Sequence, residues 1–118
     1  MGSHRVLVVD DSATIRRLVD KTLTRAGYEV LLASDGQEGL ELALGKGPDL
    51  VLVDFVMPKM NGYQMCQALH AVDNLRRVPV VLMSARAERI ADQFLAQTGA
   101  VAAGQAVLAV SGRVTEAP

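Results

Sequence analysis

At 118 residues, half of them apolar and only 3% aromatic with no Trp, the chain has room for one aliphatic core and not for two. Twelve basic and thirteen acidic side chains leave a formal charge of −1, so the chain carries no electrostatic footprint for nucleic acid or anionic lipid. Cys66 stands alone, which excludes an intrachain disulfide; no apolar run approaches the roughly 20 residues of a membrane span, and the N-terminus does not read as a signal, so a cytoplasmic location is expected.

Arg5-Val6-Leu7-Val8-Val9 is a β-branched run ended by acids and reads as a strand buried on both faces. Ser12 caps a helix in which Ile15, Leu18, Val19, Thr22, Leu23 and Ala26 recur at helical spacing until Gly27. Tyr28 to Leu32 is a second strand. Ser34 with Gln37 makes a capping-box start for a helix carrying Leu40, Ala43 and Leu44, ended by Gly45 and Gly47. Asp49 to Val53 is a third buried strand, and after a Pro-containing loop a third helix sets Gly62, Met65, Cys66 and Leu69 on one face. Val78 to Met83 is a fourth strand and Ala87 to Gln97 a fourth helix. Alternation of this kind implies parallel strands joined by right-handed crossovers, with helices on both sides of an open sheet. Residues 1–110 form one domain in this reading, and 111–118 a tail or the start of a linker.

Asp10, Asp11, Asp54 and Ser84 each stand at or just past the carboxyl end of a strand, the edge at which open α/β sheets bind ligands. Singly, each Asp reads as a helix cap or a loop start. Gathered on one edge, three carboxylates repel one another, and a divalent cation resolves the repulsion. Hard oxygen donors without a Cys or His cluster favour Mg²⁺ or Mn²⁺ over zinc. His4 and His70 are placed away from the acids and read as surface histidines; Arg16-Arg17 and Arg76-Arg77 read as solvated edges, and Lys59 as exposed. Tyr63 and Met65 read as packing residues.

Three segments carry a family resemblance: Val8-Val9-Asp10-Asp11-Ser12, Asp54-Phe55-Val56-Met57-Pro58-Lys59-Met60-Asn61-Gly62 and Val80-Val81-Leu82-Met83-Ser84-Ala85. Their order, spacing and flanks resemble the signature segments of response-regulator receiver domains of two-component signalling, chemotaxis regulators among them, over residues 5 to about 100. The resemblance implies a flavodoxin-like, doubly wound sheet of five strands in the order 2-1-3-4-5. It implies that Asp54 takes a phosphoryl group from a phosphohistidine on a sensor histidine kinase or a histidine phosphotransfer domain. It further implies that Asp11, Asp54 and the backbone carbonyl of Val56 ligate the metal, that Asp10 acts through water, and that Ser84 meets the phosphoryl group as part of a switch. Such a protein is no enzyme in the turnover sense, since it catalyses only its own phosphorylation and dephosphorylation. Its output goes to a downstream protein or a fused domain, with no nucleic acid or membrane bound by the domain itself.

The chain departs from the family pattern near its end. Receivers carry a Lys at the end of strand five and an aromatic residue shortly before it; without gaps these fall on Ala106 and Ala103, and no Lys follows Lys59. Thr98-Gly99-Ala100-Val101 reads as the approach to strand five and Gln105 to Val110 as the body of helix five, so the strand of about 5 to 6 residues and its loop are truncated or missing between them. A segment omitted there should show as a Cα jump beyond about 3.8 Å between Val101 and Gln105. Three functions are open to such a chain: a phosphoryl-accepting signal relay, a degenerate receiver working by protein contact without phosphorylation, and a Mg²⁺-dependent phosphatase with an Asp nucleophile. The third is disfavoured because Val56 stands where such enzymes place a second Asp.

Overall fold

The computed structural model describes residues 4–83, 106–110 and 113–116. Ser84, the helix expected over Ala87 to Gln97, and the expected discontinuity between Val101 and Gln105 lie outside the described residues. In chain order the elements are β1 (Arg5–Val9), α1 (Ala13–Arg25), β2 (Glu29–Ala33), α2 (Gly36–Lys46), β3 (Leu50–Asp54), α3 (Gly62–His70), a 3₁₀ turn (Asp73–Leu75), β4 (Val80–Met83), β5 (Ala106–Val110) and β6 (Arg113–Glu116). The strands form one sheet in the order β2-β1-β3-β4-β5-β6. The first five run parallel in the expected 2-1-3-4-5 order.

Local chemistry explains where the elements start and stop. The Ser12 side chain accepts the Ile15 N–H at 3.3 Å, capping α1, and Gly27 at φ 98° lets the chain leave. Asp35, not Ser34, caps α2: its carboxylate accepts the Glu38 N–H at 2.8 Å, while Glu38 reaches back to the Ser34 N–H at 2.7 Å. The expected box is thus shifted by one residue, because the acid pair satisfies both free donors. Asn61 and Gln64 form a reciprocal box at the start of α3.

The two faces of the sheet are covered unequally. Leu7, Val9, Val51, Val53, Val80 and Leu82 pack with Ala43 of α2 and Met65, Cys66 and Leu69 of α3 into the main core cluster. The four α3 residues expected on one face, Gly62, Met65, Cys66 and Leu69, are the buried ones. Each large aliphatic side chain in this cluster contributes about 1.5–3 kcal/mol by leaving water. On the opposite face α1 is the one helix among the described residues, and none of its residues is buried. β3, expected as a buried strand, alternates: Val51 and Val53 are buried, Leu50 and Leu52 only half-buried.

The end of the chain corrects the sequence reading. Residues 106–110, expected as helix five, are β5, paired parallel to β4 with Val80 opposite Ala106 and Met83 opposite Ala109. Strand five is therefore present, and it relieves β4 of the exposed apolar edge that a four-stranded sheet would have. Among the described residues no helix follows β5. Within the stretch expected as a tail, Arg113–Glu116 pairs antiparallel to β5.

Candidate functional site

Parallel pairing of β1 with β3 sets Val9 beside Val53, so Asp10 and Asp54 emerge side by side where the two strands end. Asp11 comes next, at the entry to α1. The three carboxylates each offer an oxygen within 4.8 Å of the others. Asp10 is buried (4% exposed), Asp54 half-buried and Asp11 exposed, so the cluster has a dry inner wall and an open mouth.

Hydrogen bonds hold the two inner acids. The Ser12 N–H donates to Asp10 Oδ1 at 2.8 Å and the Val56 N–H to Asp54 Oδ1 at 3.4 Å. The Asp10 backbone N–H is tied to the Ala33 carbonyl at 3.1 Å. Burial, followed by the charge of Asp10, pushes the Asp54 carboxyl up to about 6. Asp10 is likewise raised by burial, against the pull of the Ser12 N–H, with Asp11 adding to the rise. Carboxylates held in mutual contact at this cost, with oxygen donors only, suit a hard divalent cation of the Mg²⁺ or Mn²⁺ type.

The loop after Asp54 is shaped by close approach. A Cβ on Gly62 would lie 2.9 Å from the Asp54 carbonyl oxygen and from Leu82 Cδ2, so only glycine lets α3 start against the acceptor strand. Gly62 N–H donates to the Phe55 carbonyl at 2.9 Å, closing the loop. Within it Lys59 is exposed, as expected, and holds φ at 69°, a left-handed conformation unusual for a side-chain-bearing residue. Val56 is 65% exposed at the mouth.

The remaining expected site residues divide by position. Ser84 is outside the described residues; Met83, which precedes it, pairs with Asp54. Ala106, the gapless position of the expected Lys, starts β5 beside Val80, at the far end from the acids. The sheet register puts Val110 at the carboxyl end of β5, one residue beyond the Asp54–Met83–Ala109 row. Ala103 lies outside the described residues. His70, expected at the surface, is half-buried: its Nε2 donates to the Val78 carbonyl at 2.8 Å, which leaves Nδ1 to face the Cys66 thiol at 3.6 Å. It ties the end of α3 to the approach of β4. His4 is exposed, as expected.

Arg16, which the sequence alone leaves among solvated edges, belongs to the site. Its guanidinium donates to the Asp10 carbonyl oxygen at 2.5 Å and opposes the rise of the Asp10 carboxyl. It stands one turn into a helix whose N-terminus faces the acids, and its spacing to Asp10 is the signal that could have marked it.

Residues 6–103 match the family described as response regulator receiver domain. A probable transcriptional regulator, ycf27, of Porphyra purpurea is 43% identical over 85 residues, which are 72% of this chain and 34% of that protein. The chain thus spans about a third of the length of the curated relatives it matches. Among solved structures, the chemotaxis protein CheY4 of Vibrio cholerae is 30% identical with a TM-score of 0.83, covering 95% of this chain and 89% of that one. The receiver domain of the sensor histidine kinase PA1611 of Pseudomonas aeruginosa is 27% identical with a TM-score of 0.73, covering 78% and 75%; that structure has a magnesium ion coordinated in its active site cleft.

Proposed function

The chain belongs to the response regulator receiver domain family, and from that premise we propose that it relays signals by accepting a phosphoryl group on Asp54 in a Mg²⁺-dependent reaction. The observation that carries this reading is the approach of Asp10, Asp11 and Asp54 to within 4.8 Å at the end of β1 and β3.

In this mechanism an Asp54 carboxylate oxygen attacks the phosphorus of a phosphohistidine on a kinase or phosphotransfer protein. The O–P bond forms as the P–N bond breaks; the imidazole nitrogen keeps the electron pair and takes up a proton, and an acyl phosphate remains on Asp54. Mg²⁺, when bound, supplies neutralisation of the charge that gathers on the phosphoryl oxygens. Asp11 and Asp54 would hold it with the Val56 carbonyl, and Asp10, fixed by the Ser12 N–H, would act through water. The raised carboxyl of Asp54 suits a nucleophile whose negative charge is poorly solvated until a cation arrives. Ser84 would meet the phosphoryl group. The protein turns over no separate substrate, and its output passes to a protein target or a fused domain. No described helix is long and apolar enough to cross a membrane.

The test is incubation with acetyl phosphate and Mg²⁺, read by intact mass. Gain of one phosphoryl group that is lost with Asp54→Asn or with chelator supports the reading; phosphate mapped to Ser84, His4 or His70 would contradict it. A second reading, contact without phosphorylation, is favoured by one observation: β5 reads Ala-Val-Leu-Ala-Val and offers no cation at the acid edge. It predicts no mass gain and partner binding unaltered by Asp54→Asn.

A further inference from the structure

We propose that Arg16 is a positioning residue for the metal site: it grips the Asp10 carbonyl and thereby aims the Asp11 carboxylate at the cation. The inference rests on the Mg²⁺ site of the reading above and names the residue that sets its geometry.

The first observation is that Arg16 stands where a helix disfavours it. Ser12 caps α1, so Arg16 closes the first turn, and no acid accompanies it there. A cation this near the N-terminus opposes the helix dipole, so a compensating contact is expected. Helical side chains lean toward the N-terminus, which carries that of Arg16 back over the turn between β1 and α1. It donates there to the Asp10 carbonyl oxygen at 2.5 Å.

The second observation is the choice of partner. Three carboxylates gather at this turn, yet among the described residues Arg16 forms an ion pair with none of them. An arginine paired with these acids would occupy the oxygens that a divalent cation needs. Bonded to a backbone carbonyl, it leaves those oxygens free and acts on the backbone instead.

That bond closes a frame around Asp11. On one side the Asp10 N–H donates to the Ala33 carbonyl at 3.1 Å; on the other the Ser12 N–H donates to Asp10 Oδ1 at 2.8 Å and the Arg16 N–H to the Ser12 carbonyl at 3.0 Å. The Asp10 carbonyl lies in the peptide plane that leads into Asp11, and Arg16 fixes the tilt of that plane. Asp11 is exposed, so its carboxylate takes its direction from the backbone rather than from packing.

Positioning and bare electrostatics predict opposite signs. As a charge alone Arg16 repels Mg²⁺, and its removal should tighten binding. As a positioning residue it supports the site, and its removal should weaken binding.

The experiment is calorimetric titration of the full chain with Mg²⁺ alone, for the unsubstituted protein, Arg16→Met and Arg16→Lys, with the exposed neighbour Arg17→Met as control. Met is a strong helix former, so α1 is kept, and urea unfolding without metal checks that each variant is folded. We expect Arg16→Met to weaken Mg²⁺ binding about tenfold, the low end of what loss of a partner behind a metal ligand costs. Arg16→Lys, which keeps a charged donor for the carbonyl, should recover most of that loss, and Arg17→Met should not weaken binding at all. In an Asp11→Asn background Arg16→Met should have no further effect, because the group it aims is gone. Binding that is unchanged or tighter in Arg16→Met overturns the proposal, as does a loss that Lys fails to restore or that persists without the Asp11 carboxylate. An unsubstituted chain that takes up no Mg²⁺ would overturn the proposed site itself, whereas a chain that binds Mg²⁺ with indifference to Arg16 overturns this inference alone.

Discussion

The carboxyl edge of the sheet is furnished with chemistry on its β1–β3 half, where Asp10, Asp11 and Asp54 converge, whereas on its β4–β5 half strand five ends in Ala109-Val110 and brings no cation. The same parallel pairing builds both halves. One half brings together three carboxylates of the kind a hard divalent cation takes, which the proposed phosphoryl transfer would use. On the other, β5 itself contributes no positive charge to pair with the acceptor carboxylate and later with the phosphate. Binding and acceptance can therefore be present while the coupling of phosphorylation to conformation is weakened, since those tasks belong to different strands.

Stripping charge from the furnished half tests this contrast most severely. Asp11→Asn removes one of three carboxylates that lie within 4.8 Å of one another. At an effective protein dielectric that costs several kcal/mol of attraction for a divalent cation, so Mg²⁺ affinity should fall by on the order of 100-fold. Calorimetric titration with Mg²⁺ checks this; unchanged affinity would remove Asp11 from the metal site. Next in size is Gly62→Ala. With its Cβ 2.9 Å from the Asp54 carbonyl oxygen and Leu82 Cδ2, the substitution should lower stability by about 1–3 kcal/mol and displace the acceptor. Urea unfolding reads the first effect and acetyl phosphate labelling the second. Full stability would show that α3 can shift away from β3 freely.

A gain of function probes the bare half. β5 lies two strands from β3, about 10 Å away, within reach of a lysine extended toward a phosphoryl group on Asp54. Ala109→Lys and Val110→Lys, successive residues at the carboxyl end of β5, sample the two faces of the strand end. One of them should raise the rate of phosphorylation by acetyl phosphate about tenfold, a fraction of what a preorganised donor contributes in an active site. No gain from either would show that the missing charge is not what limits acceptance.

Much of this arrangement is legible in the sequence because it depends on local spacing. Gly62, Met65, Cys66 and Leu69 fall on one helical face by periodicity alone, and they are the buried residues of α3. The acids are legible because each ends an apolar run. Residues 106–110 are not, since Ala-Val-Leu-Ala-Val is too short for its period to separate strand from helix, and pairing with β4 decides. Ser34 and Asp35 are adjacent cap formers, and only the placement of Glu38 selects the second. His70 and Arg16 find their partners, the Val78 and Asp10 carbonyls, only once strands and helices have docked. The half-buried state of Leu50 and Leu52 likewise depends on what covers the face, which periodicity does not record.

The smallest expected effect concerns pH, and it isolates the furnished half without any ligand. Asp54 is raised to about 6, mainly by burial and then by Asp10, above an ordinary carboxyl near 3.8. Between these values the folded protein holds more protons than the unfolded chain, so stability falls as pH rises from about 4 to about 6 and is level above that. Asp10, raised by burial, contributes with the same sign, and the acids titrate together as a set. Because the cluster is open to solvent at Asp11, screening reduces the effect to on the order of 1 kcal/mol. The difference in unfolding free energy between the protein and Asp54→Asn, measured from about pH 4.5 to about pH 7 in chelator, should therefore move against the unsubstituted chain as pH rises. Saturating Mg²⁺ should reverse the trend, because a cation stabilises the ionised cluster that repulsion otherwise penalises. A stability difference that grows in favour of Asp54 with rising pH, in the absence of metal, would mean that the carboxylates are already neutralised from within the fold. Arg16, held against the Asp10 carbonyl, is the residue whose replacement would then reveal it.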